Sequence, residues 1–313
     1  MIFTKTDKKF KTTIGGSALI EGIMMRGPDK LAVVVRGEEL ITKEKTLNPI
    51  GKKYPVLGWP FIRGVVNFAD SMKESAAALN FSVEAVPMEE SQTKFEKWLE
   101  KKFGSKGLMN AVTGIAMVLG VALAVGFFII LPTFLAGLFT EHIAPLGTWR
   151  AAFEGGTRLV IFLLYIIAIS KMPDMKRVFA YHGAEHKTIS CYEAGEELTV
   201  ENVKKHSRMH PRCGTSFLLM VIIIGILAFL WVSNPNLLVR VSLKLAMLPV
   251  VVGISYEINR WLGRNDNAFS RVIRAPGLWM QKFTTREPDD SMIEVGIEAM
   301  KLVIPAEAGS DEW

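Results

Sequence analysis

The sequence predicts an α-helical integral membrane protein with about four transmembrane helices and a small β-containing cytosolic domain near the N-terminus. Three observations support this class. Half of the 313 residues are apolar and the mean hydropathy is +0.26, although 22% are charged. The charged residues are separated from long uncharged runs. Basic residues are also shared unequally among the segments that connect these runs.

The β-containing region is predicted at residues 12–47. Gly27-Pro28-Asp29 marks a turn, and the apolar-rich runs LAVVVR and LITKEKTL flank Gly37-Glu38-Glu39. This pattern indicates a hairpin. Residues 61–85 then repeat apolar side chains at helical spacing, which predicts an amphipathic helix on the membrane or against the helical bundle. Residues 86–107 combine lysines with aromatic residues and favour a membrane-surface helix, with a charged linker as the alternative.

Four uncharged runs supply the predicted membrane spans. The run from Leu108 to Thr140 exceeds the roughly 20 residues that a helix needs to cross a bilayer, and a second run extends from Ser216 to Ser233. Two shorter runs, at 159–170 and 245–256, need their flanks to span, and a buried core helix is the alternative. Long basic side chains in such flanks can reach the lipid surface. The charged flanking residues are Glu154, Arg158, Arg240, Lys244 and Glu257.

The distribution of lysine and arginine predicts the orientation. Residues 1–107 hold 18 of these side chains, 171–215 hold 8 and 258–313 hold 7, whereas 141–158 and 233–244 hold two each. Positive-inside bias therefore places both termini and the middle loop in the cytosol. The predicted domains are a cytosolic N-terminal domain (1–107), a transmembrane bundle (108–262) with a cytosolic loop at 171–215, and a cytosolic tail (263–313). No cleavable signal peptide is expected.

Four of the five histidines lie inside that middle loop, within one stretch of 29 residues. A helix through His182, Glu185 and His186 would place all three on one face, at i, i+3 and i+4. These residues also fit the inverted zinc-peptidase pattern H-x-x-E-H, which has only three fixed residues and by itself is weak. In that pattern the histidines hold the metal and the glutamate polarises a water molecule. Glu257 is a candidate third ligand.

The second half of the loop adds three candidate ligands. His206 and His210 are four residues apart, and Cys213 follows Pro211, which predicts that Cys213 lies on a turn. Imidazole and thiolate favour zinc. The cysteines, including Cys191, are expected to be reduced in the cytosol. The candidate metal ligands are therefore His182, His186, His206, His210 and Cys213.

Four sequence blocks give the chain a resemblance to a known family. They are GGSALIEGIMMRGP, YHGAEHKTISCYE (181–193), HSRMHPRCGTSFLL (206–219) and APGLWMQKFTTREPDD (275–290). Through them the chain resembles, over nearly its whole length, the YqhQ-like family of bacterial membrane proteins. That family has a domain of unknown function described as a predicted metal-dependent enzyme. The resemblance implies a bacterial inner-membrane location and joint action of the four blocks.

Two functions fit these features. The first is a zinc-dependent hydrolase, such as a peptidase, at the cytosolic membrane surface. In it Glu185 is the general base, and Arg208 or Arg212 stabilises developing negative charge. A catalytic zinc needs an open position, so at least one of the five candidate ligands would lie outside its coordination shell.

The second function is a non-enzymatic scaffold or protein-biogenesis factor. A structural zinc site would close the loop, and the basic cytosolic domain would recruit translocation machinery, a ribosome or anionic lipid. The net charge of +6 fits such partners. Transport is less favoured because the two longest uncharged runs hold no charged or histidine residue at mid-membrane depth. Nucleotide chemistry lacks a motif, and sequence-specific nucleic-acid binding is not expected.

Overall fold

The computed structural model describes residues 10–48, 54–86, 111–232, 236–307 and 309–312. The chain divides into two compact units, and each is built from separate stretches of sequence. The first unit comprises residues 1–86, 166–224 and 249–313, and the second comprises 87–165 and 225–248. The surface helix or linker predicted at 86–107 lies, apart from Val86, outside the described part of the chain.

The first unit contains a four-stranded antiparallel sheet in the order β1-β2-β3-β4. This sheet confirms the β-structure predicted near the N-terminus. The central strands are apolar because helices cover both faces of the sheet, whereas β4 is exposed along its length. The strands are β1 (Gly15–Leu19), β2 (Gly22–Arg26), β3 (Lys30–Arg36) and β4 (Leu40–Thr46).

Helices make up most of the remaining described residues. Short 3₁₀ turns lie at Pro55–Gly58 and Gly147–Trp149, and a π-helical turn lies within α2 at Gly126–Ile130. The helices are α1 (Ile62–Ala85), α2 (Ala111–His142), α3 (Arg150–Ile169), α4 (Pro173–Glu193), α5 (Val200–Lys205), α6 (Gly214–Phe229), α7 (Leu237–Arg264), α8 (Ala268–Thr284) and α9 (Asp290–Val303).

The sheet has a separate apolar core on each face, as its alternating side chains require. On one face, Ile23 and Val34 pack with Tyr181 of α4 and Ile293 of α9. On the other face, residues such as Met24 and Val33 pack with Ala78 of α1. Helix α9 covers nearly all of residues 291–304 (SMIEVGIEAMKLVI), where apolar residues recur at the spacing that predicts a helix packed on the N-terminal domain. Its buried side chains lie against the sheet.

Glycine permits two close approaches to α4. A Cβ atom at Gly183 would lie 2.0 Å from the main-chain oxygen of Arg286, and one at Gly296 of α9 would lie 2.7 Å from Oγ1 of Thr188. A Cβ at Gly183 would require the backbone to move, and one at Gly296 would require the Thr188 side chain to move. The helix therefore packs tightly on the segment that follows α8 and on α9.

Three of the described helices are long and apolar enough to cross a membrane, namely α2, α3 and α7. Helix α6 is equally apolar but has only 16 residues. The structure therefore supplies three candidate spans and one short apolar helix where the sequence predicted about four spans.

The charged flanks differ from expectation. Instead of reaching the lipid surface, Glu154, Arg158, Arg240 and Lys244 are at most 4% exposed. They are buried because they form a polar cluster with one another and with neighbouring helices. Glu257, proposed above as a third metal ligand, instead pairs with Arg63, whose Nη2 lies 2.5 Å from its carboxylate.

We predict that Gly183→Ala lowers the stability of the first unit by about 1–3 kcal/mol, the usual cost of overpacking. The matched control is Gly156→Ala in α3, where an added Cβ meets nothing within 4 Å and helix propensity improves by up to about 1 kcal/mol. Thermal unfolding of both detergent-solubilised variants measures the difference. Equal unfolding temperatures would contradict the close packing at Gly183.

Candidate functional site

The H-x-x-E-H residues lie on the buried face of α4. The helix starts with Pro173 in its first turn, a favourable position because proline lacks an N–H that would be unpaired there. Glu185 is 4% exposed and His186 is 1% exposed. One helical face therefore presents two imidazoles and a carboxylate to the interior of the first unit.

Cys213 reaches these imidazoles from a neighbouring loop. Helix α5 ends at Lys205, and the chain through Pro211 is not helical, so Cys213 lies directly before α6. Its Sγ atom is 3.2 Å from Nε2 of His182. One ligand atom each from His182, His186 and Cys213 lies within 4.8 Å of the other two.

Main-chain carbonyls fix both imidazoles in the same tautomer. Nδ1 of His182 lies 2.8 Å from the Thr284 oxygen, and Nδ1 of His186 lies 2.7 Å from the Arg208 oxygen. A carbonyl only accepts, so each Nδ1 carries a proton, and Nε2 is the nitrogen that can bind a metal once any second proton has been released. Among the described residues, buried Nε2 of His186 has no hydrogen-bond partner. This arrangement is typical of metal-binding histidines.

Glu185 lies beside the imidazoles with one oxygen unused. Buried Oε2 has no hydrogen-bond partner in the described part of the chain. The carboxylate accepts a hydrogen bond from the main-chain N–H of Gly16, while burial raises its pKa above the usual value. A Cβ at Gly16 would lie 3.0 Å from Cδ of Glu185 and 2.5 Å from the Met24 oxygen. Sequence reasoning gave Gly16 no role, although it lies in the first sequence block.

The electrostatics favour a thiolate at Cys213. Burial alone would raise the pKa of this thiol, but the His182 and His186 imidazoles lower the pKa well below its usual value. Burial lowers the pKa of His182, and the adjacent Cys213 reverses this effect and raises that pKa to about 9. The thiolate is the form of cysteine that binds metals.

The other two predicted ligands are outside this three-residue group, although the ring of His210 lies 5.7 Å, centroid to centroid, from that of His186. His206 groups with Cys191 and Glu196, and its Nε2 lies 3.2 Å from Oε2 of Glu196. His210 lies with its Nε2 3.2 Å from Oε2 of the fully buried Glu193. The structure thus brings together three of the five predicted ligands.

The two predicted catalytic arginines have other partners. Arg208 donates to the main-chain oxygen of Thr285 and, at 3.1 Å, to its hydroxyl. Arg212 forms an ion pair with Glu193. Arg208 also supplies the carbonyl that holds His186, so it contributes to the site through its main chain.

A cavity of about 720 Å³ adjoins Cys213. Its wall includes Gly15, Gly16 and Ser17 of β1, which is an edge strand of the sheet. Residues of β2 and the turn after it, of α1 and α7, and of the start of α6 also line the cavity, including Phe68, Phe217 and Tyr256. A ligand in this cavity would therefore contact both the edge strand and the cysteine.

The residues at this site fit a zinc ion. Two imidazole nitrogens and one thiolate are ligands that zinc prefers, and a catalytic zinc is held by three protein groups with a fourth position open. The orphaned Nε2 of His186 and Oε2 of Glu185 are buried polar atoms that need a partner.

Comparison with known proteins agrees with the resemblance found in the sequence. Residues 59–306 match the model of a family described as "Protein of unknown function (DUF1385)". The chain is also 36% identical over 310 residues to "Uncharacterized protein YqhQ" of Bacillus subtilis (strain 168). That alignment covers 97% of this chain and 96% of the relative. No solved structure matches.

We predict that Glu193→Ala destabilises the protein by about 3–5 kcal/mol, because it leaves the Arg212 cation, whose side chain is only 10% exposed, without its carboxylate. Unfolding in denaturant, monitored in detergent, measures the change. As the control, Glu201→Ala removes an exposed carboxylate paired with Lys205 on α5 and should cost at most about 1 kcal/mol. Similar losses in both variants would contradict a structural role for Glu193.

Proposed function

The chain belongs to the family described as protein of unknown function (DUF1385), and from the geometry of its site we propose that it is a zinc-dependent hydrolase of the bacterial cytoplasmic membrane. One observation carries the proposal. Donor atoms of His182, His186 and Cys213 converge within 4.8 Å, and both Nδ1 atoms are held by carbonyls.

Each residue of the site has a separate role in the proposed hydrolysis. A zinc ion held by His182, His186 and Cys213 would supply Lewis-acid activation of a water molecule. Glu185, with its unused Oε2 beside these ligands, would act as the general base that takes a proton from the attacking water and returns it to the leaving group. The main-chain N–H of Gly16 orients the carboxylate. Arg208 positions His186 through its carbonyl rather than stabilising charge directly.

A peptide in extended conformation is the substrate that the cavity favours. Gly16 turns its N–H away from β2 toward Glu185, and main-chain groups alternate along a strand, so Ala18 has the same outward orientation. Because the Gly16 N–H already serves Glu185, an extended peptide would add to this edge through the other outward main-chain groups, such as the Gly16 carbonyl. It would then lie in the cavity beside Cys213. Hydrolysis would join the water oxygen to the peptide carbonyl carbon and release the amine.

Helix α8 supports a location of the first unit at the membrane surface. Its exposed side includes Phe269 and Val272, which are 66% and 67% exposed, and Trp279. Its buried side includes Met280 and Gln281. Such an amphipathic helix suits the lipid interface. With the basic residues of the three segments predicted in the cytosol, this supports a multi-pass protein with both termini on the cytosolic side. That orientation needs an even number of spans, so α6 would have to cross the membrane together with α2, α3 and α7.

The non-enzymatic alternative needs a zinc site in which protein ligands fill all four coordination positions. A structural zinc is usually held by four protein ligands, whereas the described group at Cys213 offers three. The cavity beside Cys213 is also expected for a site that admits substrate. Both observations support the hydrolase over a scaffold that recruits translocation machinery or a ribosome.

We predict about one zinc per chain in the purified protein and its loss in the His182→Ala, His186→Ala double variant, because metal binding needs both imidazoles. Mass spectrometry of metal content measures the ratio. His210→Gln and His206→Gln are the matched controls and should keep the metal. Loss of zinc in either control would place that histidine in the coordination shell, and a folded parent without zinc after zinc addition would refute the site.

We predict that Glu185→Gln keeps the zinc but lowers peptide hydrolysis at least about 100-fold, since general-base catalysis contributes about 10²–10⁴. The zinc-loaded protein in detergent is incubated with a mixture of unstructured peptides, and the products are identified by mass spectrometry. Glu201→Gln on the exposed side of α5 is the control. Unchanged cleavage by a zinc-loaded Glu185→Gln variant would remove Glu185 from the mechanism.

A further inference from the structure

A second polar site lies in the second unit, among helices with the character of membrane spans. Its centre is Glu154 of α3, which is 4% exposed. Around it lie Arg158 of α3 and Arg240 and Lys244 of α7, each equally buried or more so. Charged groups buried in membrane-type helices are costly and usually functional.

The Glu154 carboxylate forms ion pairs with three cations. Lys244 forms an ion pair with Glu154 and donates to Oγ1 of Thr133 at 2.8 Å. Nε of Arg150 lies 3.4 Å from Oε1 of Glu154, and Nη1 of Arg240 lies 3.8 Å from the same oxygen. Both carboxylate oxygens are therefore already engaged.

Arg158 adds a fourth cation without a carboxylate of its own. Its Nε donates to the main-chain oxygen of Phe128 at 2.6 Å, and its guanidinium lies 4.9 Å from the ring centroid of Phe229. A neutral carbonyl and an aromatic face stabilise the cation but do not neutralise it. Four cations thus surround one carboxylate in the described part of the second unit.

Arg240 is the cation of this cluster that has a hydrogen-bond donor available for an anion. Its side chain is 5% exposed, and its buried Nε has no hydrogen-bond partner among the described residues. An arginine fork with an unused donor, beside three other cations, suits an oxyanion that accepts several hydrogen bonds at once. The phosphate group is such an anion.

We propose that this cluster binds the phosphate of an anionic phospholipid headgroup. The surrounding surface favours a lipid over a soluble phosphate. Next to Arg240 on α7, Leu238 is 76% exposed, and Trp149, directly before Arg150, is 73% exposed. Exposed tryptophan and leucine beside a cationic cluster are typical of the boundary between headgroups and acyl chains. This lipid site is separate from the hydrolase site and does not depend on it.

The test uses the full chain in a neutral detergent and compares three probes. These are phosphatidylglycerol, a phosphate-free glucosyl diacylglycerol with the same acyl chains, and inorganic phosphate. Native mass spectrometry reports bound lipid, and thermal unfolding reports stabilisation. We expect phosphatidylglycerol to bind and stabilise, while the glycolipid and inorganic phosphate do neither.

Two variants and one control assign the binding to the cluster. Arg240→Gln should weaken phosphatidylglycerol binding by about tenfold or more, because a hydrogen bond to a charged group is lost. Arg150→Gln should act in the same direction, and its partly exposed side chain makes misfolding a lesser concern. Lys205→Gln, which changes an exposed lysine of α5 in the first unit, should bind like the parent.

Three results would overturn the proposal. Equal binding of the glycolipid would show that acyl chains alone are recognised. Full stabilisation by inorganic phosphate, without preference for the lipid, would assign the cluster to a soluble anion. Unchanged phosphatidylglycerol binding in both cluster variants would place the lipid elsewhere on the protein.

Discussion

The close approach of α4 to the segment that follows α8 is the constraint on which the site depends. Gly183 leaves no room for a side chain between the helix and the carbonyl of Arg286. Because the helix and this segment lie so close together, the Arg286 N–H donates to the Phe179 oxygen at 2.8 Å. The Thr284 oxygen can then accept a hydrogen bond from Nδ1 of His182. A wider separation would free the imidazole ring, and its Nε2 would no longer be aimed at Cys213.

All four sequence blocks of the family resemblance meet at this point. The first supplies the N–H of Gly16, the second supplies the imidazoles and Glu185, and the third supplies Cys213. The fourth supplies the carbonyl of Thr284. Their joint presence in the chain is therefore explained by one site, in which the outer two blocks position groups that the inner two provide.

Sequence reasoning identified the sheet region, helix α9 and the face of α4 that carries the ligands, because each follows from local periodicity. It could not choose among His206, His210 and Cys213, since spacing gives no information about which side chains a loop turns toward a helix. His210 is held by Glu193 through its Nε2 atom. No pattern in the sequence distinguishes Glu193 from the other charged residues of its segment. The charged flanks of α3 and α7 were likewise expected at the lipid surface, because their pairing partners lie on different helices.

The distribution of the site along the chain has a consequence for biosynthesis. The first unit closes through its two ends, where Thr13 donates its N–H to the Asp311 oxygen at 2.6 Å. Between Gly16 and Thr284 the ribosome must also deliver every candidate membrane helix. The imidazoles and the thiolate therefore acquire their final geometry only after the last helices are released. Loading of the proposed zinc would then be a late event, because an incomplete translation product would hold the histidines and the cysteine without the geometry that brings them together.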